Sequence, residues 1–167
     1  MTRTRTSHVV GATSVAALAL LGPGAGPALA DGGSGPSILH TSLVGSMPAP
    51  ASPQVAGLNP GMAPWVNGPS RVRVREDGWV TVRIRGLVIP PPVGTGVNPV
   101  ASVVATLVCG GAIGPSTQPF ALSAAGDGST AQVVTGAEHC TDPVVLIQPA
   151  GNRAVYIAST TPGASDD

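Results

Sequence analysis

This sequence predicts an all-β fold, an antiparallel β-sandwich of about seven to nine strands carrying one disulfide. Three observations support the prediction. The stretch from Arg71 to Gly86, RVRVREDGWVTVRIRG, alternates strictly on both sides of Glu76-Asp77-Gly78, which is the pattern of a β-hairpin. After residue 30, no segment of ten residues shows helical periodicity free of Pro or Gly. Short β-branched runs recur between turn signals, in a chain of 167 residues with 23 Gly and 18 Pro.

At the N-terminus, Arg3 and Arg5 precede an apolar run from Val9 to Leu21 and the small-residue ending Ala28-Leu29-Ala30, so residues 1–30 read as a secretory signal peptide. The run is short for a bilayer span, and no later segment approaches membrane length. The processed chain is therefore expected to be secreted, extracellular and off the membrane. Residues 31–36 read as a flexible segment, 37–159 as the β-sandwich domain and 160–167 as a disordered tail. After processing, six Arg stand against eight Asp and Glu with no Lys, a formal charge of −2, which argues against nucleic acid as a partner.

Ser37 to Met47 alternates as a first strand, with Leu39, Thr41 and Leu43 on one face and Ile38, His40, Ser42 and Val44 on the other. Repeated X-Pro units from Pro48 to Ser70 forbid a long helix or a central strand there, so this stretch reads as an ordered loop crossing between sheets, with Trp65 as a packed plug or a ligand platform. The hairpin follows, and Leu87-Val88-Ile89 extends its second strand until Pro90-Pro91-Pro92 stops it. Val100 to Cys109 is apolar on both faces, as a central strand requires. Gly110 to Pro119 reads as loop, Phe120 to Ser123 and Ala131 to Val134 as strands around the Gly126-Asp127-Gly128 turn, and Val144 to Gln148 with Ala154 to Ser159 as a closing hairpin.

The register of the first hairpin follows from facing. A three-residue turn sets Val74 against Val80, Arg73 against Thr81 and Arg71 against Arg83, with Gly78 as the left-handed residue of a type I turn plus bulge; a two-residue turn mixes the faces. Val72, Val74, Val80, Val82 and Ile84 then point inward. Outward stand Arg71, Arg73, Arg75, Trp79, Thr81, Arg83 and Arg85, which include five of the chain's eight arginines.

That face is the candidate binding site: Arg71, Arg73, Arg75, Trp79, Arg83 and Arg85, with Trp65 as a further candidate. Like charges placed opposite each other cost up to about 1 kcal/mol per pair. An anionic ligand, such as an acidic cell-wall polymer or a glycan carboxylate or sulfate, would offset that cost through bidentate guanidinium contacts. The competing reading is a solvated face neutralised by Glu76, Asp77, Glu138 or Asp142, with Arg75 stacked on Trp79.

Cys109 and Cys140 remain after processing and, in an oxidising compartment, are expected to pair as a structural disulfide. With His40 and His139 they form a Cys2His2 set by residue type, but the spacing matches no zinc motif, so neither metal nor other cofactor is expected. The chain has no G-x-S-x-G motif, and no His lies beside an obvious nucleophile in sequence.

The segments SLVGSMPAP, NPGMAPWVNG, VRVREDGWVTVRIRGLVIP, ATLVCGG, PFALSAAGDG and PVVLIQPAGNRAVYIAST together resemble a family of small secreted proteins common in GC-rich, mycelial and soil bacteria. The resemblance covers nearly all of the processed chain. It implies export, paired cysteines and a β fold, and it brings no established activity or catalytic residues. In layout, the early Leu43-Val44-Gly45 strand before a hairpin is also similar to chordin-type β domains.

The leading functional expectation is a non-enzymatic extracellular binding or structural module, acting through the arginine face on cell-wall or anionic glycan surfaces. Two alternatives remain at this point. One is a secreted hydrolase with a site assembled from loops, and the other is a protease-inhibitor-like presenter of the Pro-rich loop.

Overall fold

The computed structural model describes residues 34–161. The signal-peptide reading of residues 1–30, the flexible reading of residues 31–33 and the tail reading of residues 162–167 lie outside the described residues, whereas Thr160, read from sequence as the start of that tail, is a buried strand residue. The strands, in chain order, are β1 (Ser37–Gly45), β2 (Asn59–Pro60), β3 (Arg71–Arg75), β4 (Trp79–Ile84), β5 (Ser102–Cys109), β6 (Ala112–Ser116), β7 (Phe120–Ala121), β8 (Gly128–Val133), β9 (Val144–Pro149), β10 (Val155–Tyr156) and β11 (Ala158–Thr160). One 3-10 turn covers Ala137–His139. The chain is all-β.

Nine strands form one antiparallel sheet in the order β6-β5-β9-β11-β1-β3-β4-β8, with β7 also paired to β5. The sheet is curled rather than flat, and β1 makes one corner. Its first part, through Ser42, pairs with β3, whereas Leu43–Gly45 pairs with β11. The turn from Leu122 to Asp127 makes another, because it links β7, paired to β5, with β8, paired to β4. The two halves, β1-β3-β4-β8 and β5-β9-β11 with their neighbours, enclose a single core in which Val72, Val74, Val80, Val82 and Ile84 from the hairpin meet Val103, Ala105, Leu107, Val145 and Ile147. The all-β antiparallel class is as expected; the strands form one curled sheet continuous through β1, an arrangement consistent with a β-sandwich, instead of two separate sheets.

The hairpin has the register argued from sequence, with Arg71 opposite Arg83, Val72 opposite Val82, Arg73 opposite Thr81 and Val74 opposite Val80. Gly78 has φ 77° and donates its N–H to the Arg75 carbonyl at 3.0 Å, closing the turn. Asp77 reinforces it. Its Oδ1 accepts from the Trp79 N–H at 3.1 Å, and its Oδ2 accepts from the N–H groups of Ser34 and Gly35 at 2.9 and 3.0 Å. Arg75 Nη1 donates to the Gly35 carbonyl at 2.8 Å, and the Glu76 N–H donates to the Pro36 carbonyl at 3.0 Å. Ser34 to Pro36, read from sequence as flexible, are therefore tied to the turn.

The Pro-rich segment folds down onto the outer face of the β5-β9 half. Val55, Ala56 and Leu58 pack on a second cluster of Val108, Val144, Leu146 and Tyr156, and the Tyr156 hydroxyl donates to the Pro53 carbonyl. This cover explains why β5 and β9 are buried on both faces. On the return path, Trp65 is 5% exposed in the main core, so it is the plug and not a surface platform. Gly45 permits that return, since a Cβ there would sit 2.3 Å from the Trp65 carbonyl oxygen.

Four local readings change. β6 lies inside the stretch read as loop, pairing with β5 across a register shift. β8 begins at Gly128, three residues before the expected start. Regular pairing of β4 stops at Ile84, because Gly86 has φ 60° and turns Leu87 to bond with Gly126. The closing hairpin arm splits. Val155 and Tyr156 pair in parallel with Asn59 and Pro60, and only Ala158–Thr160 rejoins the large sheet between β9 and β1.

Cys109, at the end of β5, is bonded to Cys140 after the 3-10 turn, with Cα atoms 4.9 Å apart. Thr106 and Gln148, buried on neighbouring strands, share a 2.6 Å hydrogen bond, and Arg153 caps the pair by donating to Thr106 Oγ1 at 3.1 Å and to Ser116 Oγ. Among the described residues, no helix is long and apolar enough to cross a membrane.

Candidate functional site: a basic groove on the outer hairpin face

Because β1, β3, β4 and β8 lie side by side, their outward residues align in rows across the strands. One row reads Ser42, Arg71, Arg83, Ser129; the next reads His40, Arg73, Thr81, Ala131; and Trp79 faces Val133 beyond them. Opposed residues sit about 5 Å apart across strands, and Arg71 and Arg73 about 7 Å apart along β3. Ser42 and Ser129 flank the first row, and His40 and Ala131 the second. The result is a shallow groove of about 240 Å³ lined by His40, Arg71, Val72, Arg73, Thr81 and Arg83. No carboxylate of the described residues lines it.

Three acids, Asp77, Asp127 and Glu138, accept backbone N–H groups. Amide donation from Gly35 lowers the Asp77 carboxyl below its ordinary value of 3.8, with help from Trp79, Ser34 and, least, Arg75. Glu138, similarly held below its ordinary value by backbone donation, accepts the Gly136 N–H at 2.8 Å and lies 3.8 Å from His139. Asp127 Oδ1 accepts the Gly86 N–H at 3.0 Å.

Two donors on this face are buried and unbonded: Thr81 Oγ1, within the groove lining, and Trp79 Nε1, one outward position along β4. Buried polar groups are usually satisfied, so these two weigh against the stability of the face.

Of the residues predicted from sequence, the groove gathers Arg71, Arg73 and Arg83. Arg75 and Trp79 share the face but lie toward the turn, where Arg75 holds the Gly35 carbonyl. Arg85 lies beyond the end of β4, with its carbonyl accepting from the Gly68 N–H at 2.8 Å. Trp65 is in the core, remote from this surface by burial. His40 and Thr81 join the groove as residues not singled out for it. The outward alternation of His40 with Ser42 on β1 was the available signal, but only the β1–β3 pairing puts it beside Arg73. No protein-family model matches the chain, nor does any curated protein or solved structure at the level searched.

Proposed function

We propose that the protein is an extracellular binding module that recognises anionic groups on a cell-wall or glycan surface through the groove between β1, β3 and β4. The observation that carries this reading is the placement of Arg71, Arg73 and Arg83, with His40, in the lining of one groove by the β1–β3–β4 pairing. Guanidinium groups bind oxyanions bidentately, and three arginines whose backbone positions lie within about 8 Å of one another suit a single multi-oxygen anion. The disulfide is compatible with an oxidising compartment. A shallow open groove favours binding over the hydrolase alternative, which wants a deep pocket with convergent acids or a nucleophile beside a base. The inhibitor alternative wants an exposed extended loop, whereas the middle of the Pro-rich segment packs on the sheet.

The test is retention of the folded protein on cell-wall fractions and acidic polysaccharides at low and high salt. Retention should weaken as salt rises and be lost in the Arg73→Ala, Arg83→Ala double variant, which should keep the wild-type fold. If that variant is retained as well as the parent, the groove is not the binding surface.

A further inference from the structure

The groove continues past Arg71. A second hollow of about 210 Å³ adjoins it, walled by Ser42, Leu43, Val44, Asn67, Pro69 and Ser70, and Arg71 lines both. His40, Ser42 and Val44 are successive outward residues of β1, so the hollows lie end to end along that strand over roughly 14 Å.

The second hollow is preformed. The Asn67 side chain donates to the Leu43 and Gly68 carbonyls at 2.9 and 2.7 Å and accepts the Gly45 N–H at 2.6 Å. Ser70 Oγ accepts the Arg85 N–H at 2.9 Å. With these groups committed to the chain itself, the hollow offers a rigid and, apart from Arg71, uncharged wall that includes the Pro69 ring and Val44, which is 56% exposed. Such a wall accepts a neutral unit with little reorganisation. It has no deep apolar slot for an acyl chain. It also lies on a sheet face, away from the edge where a peptide would add as a strand.

Resting on the anion-binding reading above, we infer that the ligand is an acidic oligosaccharide spanning both hollows. A carboxylate- or sulfate-bearing sugar sits over Arg71, Arg73 and Arg83, and the next sugar lies over Val44 and Pro69. Two adjoining hollows of similar size match successive units of one polymer, and Arg71 at their boundary reaches both.

Titration calorimetry of the folded protein with glucuronate, a disaccharide of one glucuronate and one neutral glucose, a sulfated monosaccharide and a disaccharide of that sugar with one neutral sugar tests this, and the uronate and sulfate arms identify the anion. The disaccharide of the preferred arm should bind roughly tenfold more tightly than its monosaccharide. Val44→Met, which fills the hollow without a ring face at an exposed position away from the three groove arginines, should remove that gain and leave monosaccharide binding unchanged. Equal affinity for the two lengths, or a gain that survives Val44→Met, overturns the two-unit inference and leaves the anion site standing. Failure of every sugar to bind removes the anion site and this inference with it.

Discussion

Thr81 carries a buried polar atom that works against stability. Its hydroxyl is buried without a partner, and such a group carries a desolvation penalty of about 1 to 3 kcal/mol that an apolar replacement of the same shape avoids. Thr81→Val should therefore melt at the same temperature as the parent or higher; a clear loss of stability would show that the hydroxyl has a structural partner. Asp77 behaves differently. Its carboxyl is lowered in the folded state, so its contribution is fully present above 3.8 and is lost as pH falls through the lower folded value. Thermal melts of Asp77→Asn should accordingly show a flatter dependence on pH below about 4 than the parent. A slope identical to the parent's would assign the acid sensitivity to other groups. Gly78 has φ 77°, and a Cβ there would lie 3.1 Å from Glu138 Oε2. Gly78→Ala should cost about 1 to 2 kcal/mol in denaturant unfolding.

Elements differ in how much of them can be read locally. The β3–β4 hairpin was fully legible, because alternation, turn length and the left-handed glycine all lie within sixteen residues and admit one register that keeps the valines together. β5 was legible as a doubly buried strand, although its second cover comes from Val55, Ala56 and Leu58, about fifty residues earlier. β6 was not. It contains Gly114 and Pro115, whose types argue for loop, and it is a strand because β5 offers an open edge beside it. The split of the last arm was also hidden, since Val155-Tyr156 pairs in parallel with a Pro-containing dipeptide that no local pattern marks. At the centre of β9, Ile147 is fully buried between the halves, so Ile147→Ala should destabilise by about 2 to 5 kcal/mol with an unchanged denaturant slope.

Across the whole molecule, the outer surfaces of the two halves are used differently. The β5-β9 half is covered by the chain's own Pro-rich segment, while Ser42, Arg71, Arg83, Ser129 and Val133 on the other half are exposed. The Cys109–Cys140 bond spans 31 residues and ties the end of β5 to the segment before β9, a loop whose closure contributes about 3 to 4 kcal/mol in the chain-entropy view. The Cys109→Ser, Cys140→Ser variant should lose a comparable amount in chemical denaturation while keeping the groove's salt-sensitive retention, because neither cysteine borders it. Loss of retention in a variant that is still folded would mean that the bond also shapes the face.

By itself the sequence determined the fold class, the hairpin and its register and the outward arginine row, because each rests on alternation, spacing or turn chemistry within short stretches, and it determined the disulfide because two cysteines allow one pairing. Tertiary structure alone decided which arginines meet. It brought β1 beside β3, so that His40 and Ser42 joined Arg73 and Arg71. It buried Trp65, drew Arg75 toward the N-terminal segment and opened a second hollow beyond Arg71. These outcomes depend on pairing between strands some thirty residues apart. Such pairing is set by which apolar faces can share one core, and residue types along the chain do not state that.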